Sequence, residues 1–465
     1  MLETRDYSLQ HIKNIKNMKK YHIFTAFSGY DSQMMALRML SDRSKNIKFE
    51  LVGWAEIEPA AIAAHNAAFP EYSQCNYGDI SKIDWAKVPN FDMFTYSFPC
   101  QAVSKSGKSG GIRKGSNTTS SLLWECERAI EVKRPKFCIM ENVKALVTKQ
   151  KTKKGDDDTE STVMYKDFMK WEFTMCRLGY WNYLKVLDAA DYGVPQHRER
   201  TIMVSIRKDN EEDPHYVFPV VQNLKPTTID SILDVDVGEK NYLPDEKVRS
   251  FIAILASGDN ELSNVKMPKI KKETMKNSHP VKKIITPTTK NGLATTLMAS
   301  SYIKSRDITY LLSTGHYPKT GVVEIWESLM DLECEKVNWG KLSAKYKKNR
   351  DLCNNSREEI LSAVRNLNGS QFIRLRDLTA AECLRLMSVP KEYVKRMLNP
   401  EKELMKINYT EEAIKSMMMM PIKNEKTGKV IMKHIATDES ALKKMAGNSI
   451  VVDMLFYVFK SLLIG

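Results

Sequence analysis

Between residues 21 and 207, short apolar runs alternate with longer amphipathic stretches. Residues 21–27 read as a strand and 28–32 as the turn after it. Met34, Met35, Leu37 and Leu40 then recur at the spacing of a helical apolar face. A second strand is predicted over 49–54, followed by Glu56-Ile57-Glu58-Pro59, with Pro59 suited to the first turn of a helix over 60–68. The alternation continues through 76–80, an apolar run at 91–97 and a helix at 122–132. A strand at 137–140 then runs into Glu141-Asn142-Val143. A helix over 164–178 stops at Gly179, and strands at 183–188 and 201–206 complete the set. Strands alternating with helices mean an α/β fold with a mainly parallel sheet covered on both faces.

From about 208 to 370 this pattern is lost. Lys, Asn, Ser, Thr and Pro dominate, the apolar pieces are short and irregular, and the stretch reads as a separate, smaller module. Helical spacing returns at Leu378, Ala381, Leu384 and Met387. Residues 398–440 are polar, with a methionine run at 417–420 that reads as core filler. Gly447-Asn448-Ser449 reads as the cap of a last amphipathic helix through Met454, Leu455, Val458, Phe459 and Leu462. Residues 1–20, with Lys13, Lys16, Lys19 and Lys20, read as a solvated arm or short helix.

Charge narrows the partners. The chain carries 71 Lys+Arg against 57 Asp+Glu, a net +14 that favours an anionic partner such as nucleic acid. Much of the excess sits at 266–306, where Lys282 and Lys283 belong to a run of lysines interleaved with Thr and Ser. The alternative, a solvated face, stays open. The eight cysteines form no CxxC pair, which indicates neither a zinc site nor a disulfide framework and suits a reducing compartment. No apolar run reaches membrane-spanning length, and the first twenty residues lack a signal peptide's apolar centre. The expectation is a soluble intracellular protein.

Candidate chemistry gathers at predicted strand ends. Ser97-Phe98-Pro99-Cys100-Gln101 places a thiol where the chain leaves the sheet, beside a Ser/Gly-rich stretch that reads as a mobile loop. Cys100 is thus either a nucleophile or one more cysteine at a sheet edge. Glu56, about one strand–turn–helix–strand unit beyond Gly29, is placed to accept hydrogen bonds from ribose hydroxyls. There is no GxGxxG, so a nucleoside without a pyrophosphate fits better than a dinucleotide; acids simply capping a helix are the alternative. Glu56, Asp79, Cys100 and Glu141 all fall at the sheet edge where such folds bind ligands.

Taken in order, Phe24–Gly29 (FTAFSG), Ser97–Gln101 (SFPCQ), Glu141-Asn142-Val143, Gln196–Arg200 (QHRER), Arg374–Met387 and Gly447-Asn448-Ser449-Ile450 resemble the ordered motifs of the cytosine-C5 DNA methyltransferase family. Asp31 and Ser32 depart from it, standing where the first motif usually has glycine. The resemblance implies a Rossmann-like catalytic domain at 21–207, a target recognition domain at 208–371, and a return at 372–465 that completes the first. It implies S-adenosylmethionine as cofactor, held by Phe27, Ser28, Gly29, Glu56, Ile57, Asp79, Ile80, Pro99, Leu122, Asn448 and Ser449. It makes Cys100 the nucleophile on C6 of a flipped-out cytosine, Glu141 the acid at N3, and Arg198 and Arg200 a guanidinium fork for the cytosine O2. Gln101, Ser104, Ser106, Thr295, Thr296, Lys282 and Lys283 would meet double-stranded DNA. The implied protein is a monomeric, cytoplasmic or nucleoid-associated enzyme of restriction-modification or of phage or host DNA protection. A tRNA cytosine methyltransferase would carry a shorter insert, and an inactive DNA-binding relative would not keep Cys100, Glu141, Arg198 and Arg200 together.

Overall fold

The computed structural model describes residues 18–99, 112–147, 163–255, 266–294, 321–336 and 357–465. Positions 45, 113, 116–117, 210–211, 222–223, 225–226, 269, 271–274, 276–277, 287–292, 330–331, 424–428 and 436 are excepted. In chain order come β1 (Lys19–Ala26), α1 (Ser32–Arg43), β2 (Ile47–Ala55), α2 (Pro59–Ala68), β3 (Met93–Tyr96) and α3 (Leu123–Lys133). They are followed by β4 (Phe137–Val143), α4 (Val163–Arg177), β5 (Tyr180–Asp188) and β6 (Glu199–Arg207). The six strands form one sheet in the order β2-β1-β3-β4-β6-β5. β1 pairs parallel with β2 and β3, and β3 with β4, whereas β6 runs antiparallel to both β4 and β5. The mainly parallel, Rossmann-like sheet expected from the alternation is present, with one reversed strand.

Strand periodicity sends side chains into two cores. Ile23, Leu51 and Met93 pack on the α1–α2 side. Phe24, Phe94 and Met140 pack on the α3–α4 side. Phe24 approaches β2 so closely that a Cβ on Gly53 would lie 2.6 Å from its ring. Residues 76–80, expected to continue the strands, do not. Asn76 makes only an isolated bridge to Trp54, Gly78 turns left-handed at φ 69°, and Asp79 caps a 3₁₀ turn over Ile80–Lys82.

The second module contains α5 (Asp245–Leu255), β7 (Lys266–Pro268), β8 (Ser278–Thr286), β9 (Gly321–Ser328), β10 (Cys334–Lys336), α6 (Arg357–Arg365) and β11 (Gln371–Asp377). β11-β9-β8 form an antiparallel sheet, and Val323, Ile325, Ile373 and Leu375 bury against Phe251, Ile252, Ile360 and Leu361 of the two helices.

The chain returns through α7 (Ala380–Leu386), α8 (Lys391–Leu398), α9 (Pro400–Met405), α10 (Glu411–Met417), β12 (Met419–Lys423), β13 (Val430–His434), α11 (Glu439–Asn448) and α12 (Val452–Leu463). The polar stretch 398–440 therefore holds two helices and a two-stranded ribbon, with Met417, Met418 and Met420 buried at its root. Gly447-Asn448-Ser449 does not cap the last helix. Asn448 ends α11, Ser449 is its C-cap, and α12 starts after Val451 without a side-chain cap. α12 packs against α1, bringing the end of the chain beside its first strand. No single helix among the described residues is long and apolar enough to cross a membrane.

Candidate active site

The turn leaving β1 is strained in a specific way. Phe27, Gly29 and Asp31 all take positive φ (55°, 55° and 64°), which only the glycine adopts freely. Asp31 supplies the compensation. Its Oδ1 accepts from Met34 N (3.0 Å), capping α1, and its Oδ2 accepts from Thr25 Oγ1 (2.8 Å). His65 Nε2, on α2, lies 3.3 Å from the same Oδ2, fully buried, with its ring stacked on Trp54. The Thr25 hydroxyl also lies 2.9 Å from that of Ser28. Asp31 and Ser32, where the resemblance expected glycine, thus have structural partners: Ser32 Oγ is 2.6 Å from Ser449 Oγ across the whole length of the chain.

Glu56 joins this turn to β2. Its Oε2 accepts from Gly29 N (3.0 Å) and its Oε1 from Ile57 N and Glu58 N (2.8 and 2.9 Å). A carboxylate has about four acceptor sites, so capacity for a further donor remains there. Asn76, which sequence reasoning passed over, holds Glu56 by its backbone on both sides, at 3.2 and 3.1 Å.

At the far wall stands Glu141, 5% exposed at the end of β4. Arg200 Nε lies 3.1 Å from its Oε1, and the Ser97 hydroxyl donates to its Oε2. Burial pushes its pKa above the ordinary carboxyl value, against the pull of Arg200, Ser97 and Arg198. The next residue, Asn142, donates from Nδ2 to Phe98 O (3.0 Å), and Ser120 Oγ donates to Pro99 O (2.6 Å). The peptide leading to Cys100 is therefore pinned twice, although Cys100, Gln101, Ser104, Ser106, Thr295 and Thr296 lie outside the described residues.

These walls enclose one cavity of about 440 Å³, within the roughly 300–1,000 Å³ of small-molecule sites. It brings together Phe27, Ser28, Gly29, Glu56, Ile57, Pro99, Glu141, Arg200, Asn448 and Ser449. Ile57, 66% exposed, offers an apolar surface at its mouth. An apolar ledge and a carboxylate at a strand end, beside a glycine-containing turn, suit an adenosine-bearing sulfonium such as S-adenosylmethionine. Ser97 and the α11 residues Lys444 and Met445 also line it and were missed. The signal for α11 was there: Asp438 as cap, then Leu442, Met445 and Ala446 at helical spacing.

Four expected residues sit elsewhere. Asp79, Ile80 and Leu122 are not among the lining residues. Asp79 Oδ1 accepts from Ser81 N and Oγ (3.0 and 2.7 Å) and its Oδ2 lies 3.4 Å from Lys82 Nζ, Ile80 is buried, and Leu122 packs at the start of α3. Arg198, expected with Arg200 as a guanidinium fork, is not among the lining residues either. It is fully buried, and its Nη2 donates to Gly447 O (3.0 Å) and Ser449 O (2.6 Å), fastening α11 to the sheet.

In the second module Lys282 is exposed, 3.5 Å from Glu359, whereas Lys283 turns inward and donates to Asp234 O (2.6 Å). The segment carrying Thr295 and Thr296 is rooted in the first sheet's machinery. Ala294 N donates to Pro195 O (2.9 Å) and Ala294 O accepts from His197 N (2.8 Å), beside Arg198 and Arg200.

A family model described as C-5 cytosine-specific DNA methylase matches residues 23–408. The type II methyltransferase M2.ScrFI of Lactococcus lactis subsp. cremoris is 34% identical over 277 residues, 49% of this chain and 71% of that protein. The orphan methyltransferase M.SssI of Spiroplasma monobiae is 34% identical over 183 residues, 38% of this chain and 42% of its own length. The orphan methyltransferase M.Rho11sI of Bacillus phage rho11s is 30% identical, and the match spans 50% of this chain and about half (48%) of that protein. The structure of the Entamoeba histolytica methyltransferase EhMeth shares the fold, with a TM-score of 0.51 at 14% identity, covering 96% of this chain and 98% of that one. The chain belongs to the C-5 cytosine-specific DNA methylase family.

Proposed function

We propose that the protein methylates C5 of a flipped-out cytosine in a specific DNA sequence through a covalent Cys100 adduct. One observation carries this reading. Glu141, held by Arg200 and Ser97, shares a cavity with the Phe27–Glu56 turn and with Pro99, the residue before Cys100. C5 of cytosine is too weak a nucleophile to take a methyl group unaided. Addition of the Cys100 thiolate to C6 forms the S–C6 bond and moves the C5–C6 π pair toward C5, while Glu141 delivers a proton to N3. S-adenosylmethionine, when bound, supplies an electrophilic methyl group. The C5 proton then leaves to a base, the C6–S bond breaks to release the Cys100 thiolate, and the N3 proton returns to the Glu141 carboxylate, which restores the ring.

Arg200 has two tasks in this scheme, orienting Glu141 and offering its remaining donors to the cytosine O2. Arg198 acts at one remove, by holding Gly447 and Ser449 at the cofactor wall. In this reading 21–207 with 378–465 form the catalytic domain, because β11 (Gln371–Asp377) pairs with β9 of the second module and moves the expected boundary at 371 to its end. The module at 208–377 chooses the DNA sequence, with Thr295 and Thr296 near the base edges. The target cannot be reached inside a duplex, so it must leave the stack.

The test is covalent trapping. DNA carrying 5-fluorocytosine is expected to retain the wild-type enzyme, because fluorine blocks the last elimination, and Cys100→Ala is expected to abolish methyl transfer while DNA binding persists. A trapped peptide containing Cys126 or Cys138 overturns the assignment. Bisulfite sequencing of DNA from expressing cells reads the target sequence. Exchanging 208–377 for a relative's segment is expected to change that sequence; an active hybrid that keeps the original site removes the recognition role.

A further inference from the structure

We propose that the β12–β13 ribbon is a second DNA-contacting surface, separate from the recognition module. It lies between α8 and α11, beyond residue 408 where the family match ends. Its root is fixed: Ile435 N donates to Met418 O at 2.9 Å, and Asn66 Nδ2 on α2 donates to Met417 O at 2.7 Å. Past that root, among the described residues, the two strands pair only with each other, and every residue of β13 is exposed. Val430, Ile431 and Met432 stand 57%, 48% and 58% exposed. Successive strand residues face opposite ways, so apolar side chains meet water on both faces of the ribbon. Exposed apolar clusters of this kind mark surfaces that are covered in use.

Charge selects what covers this one. The described ribbon residues carry Lys423, Lys429 and Lys433 and no acid, whereas acids outnumber bases on α9 and α10 just before it. A projecting, lysine-rich, two-stranded ribbon has the width of a DNA major groove and the charge to neutralise phosphates. Its position agrees. β13 leads through three residues into Asp438 and Glu439 of α11, which line a cleft of about 590 Å³ opposite Lys240 and Lys247 of the recognition module. Lys240 Nζ and Glu439 Oε1 bridge it at 2.7 Å. A duplex held by both modules passes this junction, and the ribbon then grips it outside the recognised sequence.

The inference rests on the DNA methyltransferase reading, and the experiment separates the two. The full-length protein and a Lys429→Gln/Val430→Ser/Met432→Ser/Lys433→Gln variant are titrated with a duplex of roughly 30 base pairs at about 50–200 mM salt. The variant is expected to bind severalfold more weakly, with the slope of log affinity against log salt reduced by about two, near 0.9 per lost lysine–phosphate contact. Turnover at saturating DNA should stay unchanged. A second variant, joining Met418 to Ile435 by a short Gly/Ser link, should reproduce both changes. Failure of the wild type to bind DNA ends the parent reading. Wild-type binding matched by both folded variants in affinity and slope overturns the ribbon's role. So does a loss of self-association in the variants with DNA binding intact, which would make a second copy of the chain the ribbon's partner.

Discussion

Glu141 and Glu324 are both buried carboxylates beside an arginine, one on each sheet, and their surroundings push them in opposite directions. Glu141 has Arg200 and Ser97 as partners and opens on a cavity, and burial lifts its pKa. Glu324, 1% exposed on β9, accepts from Arg376 Nε (2.8 Å), Tyr242 OH (2.7 Å) and Trp326 Nε1 (2.9 Å). Burial alone would raise its pKa too, but Arg376, Tyr242 and Trp326 outweigh it and hold it below the ordinary value. Arg376 in turn clasps Glu382 of α7 through two nitrogens at 2.9 and 3.0 Å. A carboxylate with saturated partners is a strut between β9, β11 and α7. One whose desolvation outruns its pairing holds a proton more tightly than a free carboxyl does, the direction a proton donor needs.

The widest separation between the two comes from removing the arginine at the closed centre. Arg376→Ala leaves Glu324 and Glu382 buried without their cation, so about 3–5 kcal/mol of stability should go. Denaturant titration measures it. A variant of wild-type stability that lost turnover would make the closed centre catalytic and erase the contrast.

At the open centre the expected effect is on rate. Glu141→Gln keeps the shape of the site and should lower turnover about a hundredfold or more, with cofactor binding retained. Because folding raises the Glu141 pKa above its ordinary 4.5, the folded state holds the proton more tightly than the unfolded chain. Its contribution to stability is therefore complete below that ordinary value and is lost as pH rises through the folded pKa. Wild-type melting temperature should fall relative to Glu141→Gln across that window, and turnover should fall with it. Parallel pH profiles in the two proteins would sink the acid role.

Sequence carried much of this. The β1-to-β6 alternation and the strand ends bearing Glu56 and Glu141 follow from periodicity, and the return of the last helix to the first strand is what the family resemblance implies. What it could not carry were contacts between distant residues. Arg198 and Arg200 are chemically alike in sequence, and only packing shows one spent on Gly447 and Ser449 and the other facing the cavity. Asp31 read as a defect in the cofactor turn until His65 and Thr25 appeared beside it. Replacing it by Asn keeps the helix cap but removes the charge facing His65. Cofactor affinity should then fall roughly tenfold, about 1.4 kcal/mol, with turnover at saturation unchanged. A lower melting temperature with unaltered affinity would make the pair structural only.

The smallest expected effect separates two neighbouring lysines. Lys282 and Lys283 were equal candidates for phosphate contact, being adjacent members of one basic run. Adjacent residues on β8 point to opposite faces, and the structure divides them accordingly. Lys282 is exposed, with Glu359 at 3.5 Å, a half-exposed pair worth well under about 1 kcal/mol and easily given up for a phosphate. Lys283 reaches back to Asp234 O and lies 3.7 Å from Glu324, at the edge of the closed centre. Lys282→Gln should therefore reduce the salt dependence of DNA binding by one phosphate contact, a slope change of about 0.9, with stability untouched. Lys283→Gln should do the reverse, lowering the melting temperature while leaving the slope alone. If the two variants change the slope equally, both lysines reach DNA and the inward turn of Lys283 does not persist in the complex.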